Sequence, residues 1–129
     1  MMDKKIRILI LENRASDAEL VKFCLMEAGF AFTEKWVTNK GEFLTALEGF
    51  RPDLILSDYD LPQYSGALAL ADAKKRLPSV PFILVTGALG KDEKRISNIL
   101  SEGANACVLK DDLDRLPPAI HKALGYDIE

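Results

Sequence analysis

Short apolar stretches alternate with longer amphipathic stretches along the whole chain. Five of the apolar stretches have the length of a β-strand, and they cover Ile6–Leu11, Ala31–Val37, Leu54–Leu56, Pro81–Val85 and Ala106–Leu109. The first, third and fourth contain runs without alternating polar residues, which is typical of strands buried on both faces of a parallel sheet. The second includes Thr33, Glu34 and Lys35, and we predict that it lies at an edge of the sheet.

Between the apolar stretches, hydrophobic residues recur at helical spacing. Ser16 and Glu19 form a capping-box pattern that predicts the start of the first helix, and Gly29 predicts its end. Asn39 and Glu42 predict the start of the second helix. The remaining helices are predicted over Gly66–Leu77, Asp92–Glu102 and around Leu116–Leu124, the last with Pro117 and Pro118 in or before its first turn. Five strand–helix units in succession predict an α/β fold with a parallel sheet, right-handed crossovers and helices on both faces.

The composition fits one globular domain. The chain has 129 residues and a net charge of −3, and because this length suffices for one core but not for two, we expect a single domain over residues 1–129. The negative charge and the lack of a basic stripe argue against direct contact with nucleic acid. No apolar run reaches the ~18 residues of a membrane span, and two cysteines are too few for a disulfide framework. We therefore expect a cytoplasmic protein with reduced thiols and no membrane partner.

Polar side chains follow four of the predicted strands at the point where each strand ends. They are Glu12 and Asn13 after the first strand, Asp58 and Asp60 after the third, Thr86 after the fourth, and Lys110 after the fifth. Because ligands of open α/β sheets bind beyond the carboxyl ends of the strands, we expect these side chains to meet at one edge. The alternative for Asp58 and Asp60 is a turn before Pro62, where aspartate is common.

Such a set of side chains suits phosphoryl transfer. Clustered carboxylates repel one another unless a cation shares their site, and Mg²⁺ is a hard cation that prefers oxygen ligands. Asp58 is then the candidate nucleophile and phosphoacceptor, which would form an acyl phosphate. Thr86 and Lys110 are the candidates for binding phosphoryl oxygens, because positioning and charge neutralisation carry most of this chemistry.

Several of these motifs occur in the order found in the receiver domains of two-component response regulators. The sequence resembles that family over nearly its whole length, from "RILILENRASDAELV" through "PDLILSDYDLPQYSGALAL" and "PFILVTGALG" to "EGANACVLKDDLDRL". The family's phosphoacceptor aspartate corresponds to Asp58, its loop proline and glycine to Pro62 and Gly66, its threonine or serine to Thr86, and its lysine to Lys110.

The resemblance implies a (βα)5 fold, a flavodoxin-like three-layer sandwich with a five-stranded parallel sheet in the order 2-1-3-4-5. It implies a non-enzymatic signalling domain that binds Mg²⁺ through Glu12, Asn13, Asp58 and the backbone carbonyl of Asp60. A sensor histidine kinase or a phosphotransfer protein would supply the phosphoryl group. The output surface would be the fourth helix, fifth strand and fifth helix, roughly Lys91–Leu124, where Lys91, Lys94 and Arg95 could meet an acidic partner. A homodimer remains open, and we expect no output domain in the chain.

Three positions depart from the family pattern. Asn13 stands where the family usually supplies a carboxylate to Mg²⁺, so we expect weaker Mg²⁺ binding unless the long side chain of Glu12 compensates. Cys107 stands at the switch position, where the family usually has a Tyr or Phe that moves together with the residue at Thr86; cysteine is too small for this movement, and its simpler role is core packing. Asp111 replaces a common proline, with little expected consequence.

Two other functions compete with a phosphorylated receiver. The Asp58-Tyr59-Asp60 sequence also matches the DxD motif of haloacid-dehalogenase-like phosphatases, although in those enzymes the motif follows the first strand and not the third. The second alternative is a pseudo-receiver that acts as a docking module independently of phosphorylation, which Asn13 and Cys107 favour.

Overall fold

The computed structural model describes residues 5–87 and 92–125. Five parallel strands form one sheet, and they are β1 (Ile6–Leu11), β2 (Phe32–Val37), β3 (Leu54–Ser57), β4 (Phe82–Thr86) and β5 (Ala106–Leu109). Their order in the sheet is β2-β1-β3-β4-β5. The predicted topology is therefore confirmed, and β2, the stretch with three consecutive polar residues, does lie at an edge.

Helices cover both faces of this sheet. They are α1 (Ala15–Glu27), α2 (Lys40–Gly49), α3 (Gly66–Arg76), α4 (Glu93–Ser101) and α5 (Leu116–Leu124), with a 3₁₀ helix over Lys110–Arg115 that leads directly into α5. One buried cluster joins the sheet to α2, α3 and α4, and a second joins it to α1 and α5. The result is the expected three-layer sandwich.

Strand β1 shows why the buried strands lack polar alternation. Leu9 and Leu11 point into the cluster on the α2–α4 side, while Ile8 and Ile10 point into the cluster on the α1–α5 side. Successive side chains of a strand point to opposite faces, so a strand covered on both faces needs apolar residues at every position. None of the helices within residues 5–87 and 92–125 is long and apolar enough to cross a membrane.

The start of α1 differs from the prediction. The Ser16–Glu19 capping box is wrong, because the helix already begins at Ala15 and Arg14, the residue before it, makes no side-chain cap. The backbone N–H of Arg14 instead donates to Glu12 Oε2 at 3.0 Å. The start of α2 is as predicted, since the Asn39 side chain accepts from the N–H of Glu42.

A short hairpin between β3 and α3 was not predicted. Asp60–Leu61 pairs with Tyr64–Ser65 in antiparallel orientation, and Gln63 in the turn adopts a positive φ of 56°. The hydroxyl of Tyr64 donates to Asp72 Oδ2 of α3 at 2.5 Å. The pKa of Tyr64 is raised, mainly by burial and to a smaller extent by this hydrogen bond to the Asp72 carboxylate. The hairpin is thus fixed to α3 through the side chain of Tyr64.

Candidate functional site at the carboxyl edge of the sheet

The carboxyl ends of β1, β3, β4 and β5 meet around one polar cleft. Glu12 and Asp58 directly follow β1 and β3, Thr86 is the last residue of β4, and Lys110 directly follows β5. The cleft has a volume of about 640 Å³, and it is lined by Asn13, Arg14, Asp17, Asp58, Asp60, Leu61, Pro62, Gly87 and Lys110.

Lys110 is the centre of the site. Its Nζ lies 2.7 Å from Glu12 Oε1, 2.8 Å from Asp17 Oδ2 and 3.2 Å from Asp58 Oδ2. One ammonium group therefore neutralises part of the charge of three carboxylates. Sequence analysis predicted that Glu12, Asp58 and Lys110 would be neighbours, and the structure brings all three into contact.

Asp17 was missed by sequence analysis. It lies in the first turn of α1, and the prediction considered only the residues that directly follow a strand. Because α1 begins four residues after the end of β1, its first turn is still at the carboxyl edge of the sheet. An acidic residue in the first turn after β1 was the available signal for this fourth member of the Lys110 cluster.

Asp58 is held rigidly at the end of β3. Its backbone N–H donates to the carbonyl of Leu11 at 3.0 Å, which ties the end of β3 to the end of β1. Its Oδ1 accepts from the N–H of Tyr59 at 2.7 Å, while Oδ2 faces Lys110. Ser57 Oγ donates to the Asp58 carbonyl at 2.8 Å. The residue is 7% exposed, yet it still lines the cleft.

Glu12 is the most buried acid of the site, at 3% exposure. Its carboxylate is held by Lys110 and by the N–H of Arg14, and its backbone carbonyl accepts from Trp36 Nε1 at 2.7 Å. Burial raises the pKa of Glu12 above its ordinary value, although the hydrogen bond from Lys110 opposes this shift.

Lys110 remains charged at this site. Burial lowers the pKa of Lys110, but the hydrogen bonds to Asp17 and Glu12 and the charge of Asp58 outweigh burial, so that the pKa is raised. The cluster therefore places one ammonium group in contact with three acidic side chains.

Thr86 and Cys107 occupy neighbouring strands near the site. Thr86 is fully buried and is the register partner of Leu109, the residue before Lys110. Cys107 is half-buried and packs against the core cluster on the α2–α4 side, together with Tyr59 and Ile96. Burial raises the pKa of the Cys107 thiol, so the residue has the character of a small core side chain.

The oxygen donors of the cleft fit a hard divalent cation. Within the residues that the structure describes, no three His, Cys, Asp or Glu side chains are arranged to hold a metal ion. Mg²⁺ usually keeps several waters and takes only one or two protein carboxylates. Asp58, Asn13 and Asp60 line the cleft with oxygen atoms, while the carboxylate of Glu12 lies behind them, 3% exposed and bound to Lys110 and the N–H of Arg14. This donor set is poorer in charge than a site with a third acid at position 13.

Fold and site together define a doubly wound α/β domain with an acidic, lysine-centred cleft at the carboxyl edge of a 2-1-3-4-5 sheet. The chain belongs to the response regulator receiver domain family, which matches residues 8–121. Receiver domains of this family act in two-component signal transduction, and the predicted resemblance is confirmed.

Individual relatives agree with this assignment. The chain is 29% identical over 120 residues to the transcriptional regulatory protein DegU of Brevibacillus brevis, covering 92% of this chain and 50% of the relative. It is 28% identical to a CheY-like receiver domain protein of Methanospirillum hungatei, with a TM-score of 0.77 and 95% of both chains covered. The fold is shared by the receiver domain of a Pseudomonas aeruginosa sensor histidine kinase, which is 22% identical with a TM-score of 0.78, covering 95% of this chain and 99% of the other. The crystal structure of that domain holds a magnesium ion in the active-site cleft. The chain spans about half the length of curated relatives such as DegU.

Proposed function

We propose that this chain is a phosphorylated receiver domain whose phosphoacceptor is Asp58. The observation that carries the proposal is the position of the Asp58 carboxylate, at the open end of a rigid strand and 3.2 Å from the Lys110 ammonium. An acid placed only to begin a turn would not need a half-buried cationic partner from the end of a strand two positions away in the sheet.

The proposed reaction is a direct transfer of a phosphoryl group. A carboxylate oxygen of Asp58 forms the new bond to phosphorus, the phosphorus–nitrogen bond of a donor phosphohistidine breaks, and its electron pair stays on the imidazole nitrogen. Lys110 and Thr86 then bind phosphoryl oxygens and stabilise their charge. A bound Mg²⁺ would neutralise further charge at the phosphate, held by Asp58, Glu12, Asn13 and the Asp60 backbone carbonyl.

The proposal is tested by incubating the protein with acetyl phosphate and Mg²⁺ and following its intact mass. We expect the mass to rise by one phosphoryl group, and we expect hydroxylamine to remove that group because it cleaves acyl phosphates. Absence of any added group would instead support the pseudo-receiver alternative, in which the same fold serves as a docking module. Steady turnover of a generic phosphomonoester would support the phosphatase alternative.

Asn13→Asp is expected to tighten Mg²⁺ binding by about ten- to a hundredfold, which corresponds to ~1.4–2.8 kcal/mol. The new carboxylate adds one negative charge to a cleft that Asn13 lines with a neutral amide. Fluorescence of Trp36, the only tryptophan, provides the titration signal, because its indole N–H bonds to the backbone of Glu12. Equal Mg²⁺ affinity in the wild type and in Asn13→Asp would mean that a carboxylate at position 13 adds nothing to the oxygen donors already present.

A kinase or phosphotransfer protein is the proposed source of the phosphoryl group, and α1 is its proposed docking surface. Leu20, Phe23 and Met26 are more than half exposed and follow Asp17 at three-residue intervals, so an oblique apolar stripe begins one turn after Asp17 and winds around α1. Next to it, a concave surface between α1 and the start of α5 is lined in part by Leu113 and Pro117. The stripe would seat the donor protein while its phosphohistidine enters the cleft.

Phe23→Glu is expected to slow transfer from a histidine-phosphorylated protein at least tenfold, since a charge would enter an apolar contact. Labelling by acetyl phosphate should not change, because Phe23 is 59% exposed and lies outside the cleft. The assay uses a panel of purified, histidine-phosphorylated phosphotransfer proteins and retains those that label the wild type. Unchanged transfer from all of these would exclude Phe23 from the docking surface.

The proposed output surface is α4, β5 and α5, and it would contact a downstream protein or a second copy of the chain. Leu100 of α4 is 41% exposed and Lys94 is exposed, while Lys91 lies outside the described residues. Arg95 is placed over the ring of Tyr59, with its guanidinium carbon 5.7 Å from the ring centroid. Because Tyr59 follows the phosphoacceptor directly, this contact joins α4 to the site.

A further inference from the structure

The Lys110 ammonium has three N–H donors, and three carboxylates lie within 3.2 Å of its nitrogen. If Lys110 is to bind a phosphoryl oxygen, one of these carboxylates has to give up its place. The motif residues that match the family pattern include Asp58 and Lys110 but not Asp17, so the family assignment does not identify the carboxylate that leaves. The three acids differ in burial and in their other hydrogen bonds, and these differences indicate which carboxylate leaves Lys110.

Glu12 is the least able to leave. Its side chain is only 3% exposed, and its second carboxylate oxygen is bound to the N–H of Arg14. Asp58 is the proposed phosphoacceptor and stays next to Lys110 throughout. Asp17 has the most exposed side chain of the three, at 21%, and it lies in the first turn of α1 at the wall of the cleft. Its distance to Lys110, 2.8 Å, is also shorter than the 3.2 Å from Asp58.

We propose that Asp17 is a positioning residue that holds Lys110 in the unphosphorylated protein and competes with the phosphoryl group for its ammonium. The inference rests on the proposed phosphorylation of Asp58. Phosphorylation adds roughly 1.5 to 2 negative charges next to Asp17, so the Asp17 carboxylate both loses its partner and faces a like charge. Asp17 thereby favours the unphosphorylated state and sets how readily the site accepts a phosphoryl group.

The test measures the affinity of the protein for beryllofluoride, a non-covalent mimic of a phosphoryl group, at fixed Mg²⁺ with ¹⁹F NMR. Asp17→Asn should bind beryllofluoride about two- to tenfold more tightly than the wild type, the range that one partly exposed ion pair supports. Asp17→Ala should show the same direction, and Asp17→Glu should restore wild-type affinity. A merely structural role for Asp17 would weaken binding on substitution.

Glu19→Gln is the matched control, because it removes the same charge from the same helix at an exposed residue whose partner is Lys22 and not Lys110. It should leave the affinity unchanged. If the wild type binds beryllofluoride and Asp17→Asn and Asp17→Ala bind it equally or more weakly, the inference on Asp17 is wrong and the proposed function stands. If neither the wild type nor the variants bind beryllofluoride or take a phosphoryl group, the proposed function is overturned together with the inference.

Discussion

Asp58→Asn is expected to give a folded protein that takes up no phosphoryl group from acetyl phosphate. The amide is not a nucleophile for phosphorus. Of the other acids in contact with Lys110, Glu12 is only 3% exposed, and Asp17 lies on α1 and not at the end of a strand. Labelling should therefore fall to background and not merely slow down. Intact mass after incubation with Mg²⁺ and acetyl phosphate gives this result directly.

The same substitution should leave stability unchanged or raise it by up to about 1 kcal/mol. Three carboxylates share one ammonium, and the charge of Asp58 contributes to the raised pKa of Glu12, so removing that charge relieves repulsion. The Tyr59 N–H keeps an acceptor, because the asparagine side chain retains a carbonyl oxygen where Asp58 Oδ1 now lies. Urea denaturation of both proteins measures the change.

Asp60→Asn is the matched control for this experiment. Asp60 is exposed and lines the cleft two residues further along the chain, and only its backbone carbonyl has a proposed role. It should label like the wild type. Labelling of Asp58→Asn to the wild-type extent, or loss of labelling in Asp60→Asn alone, would move the phosphoacceptor away from position 58 and favour a role for Asp60 in a DxD-type reaction.

The sheet could be predicted from sequence because the constraint on its strands is simple. A strand covered on both faces must be largely apolar on both, and this is seen in β1 after the exposed Arg7 and in β3 and β4 up to their last residues, Ser57 and Thr86. The meeting of Glu12, Asp58 and Lys110 follows from the same logic, since the ends of adjacent parallel strands lie at one edge. The hydrogen bond from Asp58 N–H to the Leu11 carbonyl shows how closely those ends align.

What could not be predicted depends on contacts between distant segments. Trp36 donates to Glu12 across 24 residues because β1 and β2 pair in one register, and Tyr64 reaches Asp72 only once the hairpin has formed. Asp17 belongs to the Lys110 cluster through the direction in which α1 leaves the sheet. The contacts of Trp36 and Tyr64 are not visible as a local pattern. An acidic residue in the first turn of α1 indicates that Asp17 is near the carboxyl edge of the sheet, but it does not indicate the contact with Lys110.

The false capping box at Ser16 has a related cause. The pattern Ser-x-x-Glu describes a helix that supplies its own cap, whereas the turn before α1 is stabilised by Glu12, an acid of the site. The structure therefore uses one carboxylate for two purposes, the start of α1 and the anchoring of Lys110. An acid that directly follows a strand and precedes a helix by three positions can therefore both cap the turn before the helix and take part in the site.

Gly66→Ala is expected to destabilise the protein by about 1–3 kcal/mol, the usual cost of overpacking a tight site. A Cβ at position 66 would lie 2.7 Å from Leu84 Cδ1, 2.8 Å from the Asp58 carbonyl oxygen and 3.0 Å from Tyr59 Cα. The Leu84 side chain can rotate, but the other two atoms belong to the backbone that carries the proposed phosphoacceptor. Gly66 N–H also donates to the Tyr59 carbonyl at 2.8 Å, so α3 cannot move away without breaking this bond.

The displaced backbone should affect function as well as stability, because the strain falls on Asp58 and Tyr59 themselves. We expect acetyl phosphate to label Gly66→Ala at least tenfold more slowly than the wild type under conditions where both remain folded. Gly49→Ala is the matched control: a Cβ there meets nothing within 4 Å, and alanine is the better residue in α2. That variant should be as stable as the wild type or more so and should label normally. A Gly66→Ala protein with wild-type stability and wild-type labelling would show that the backbone after β3 can move without cost. The rigid position of Asp58 at the end of β3 would then be wrong.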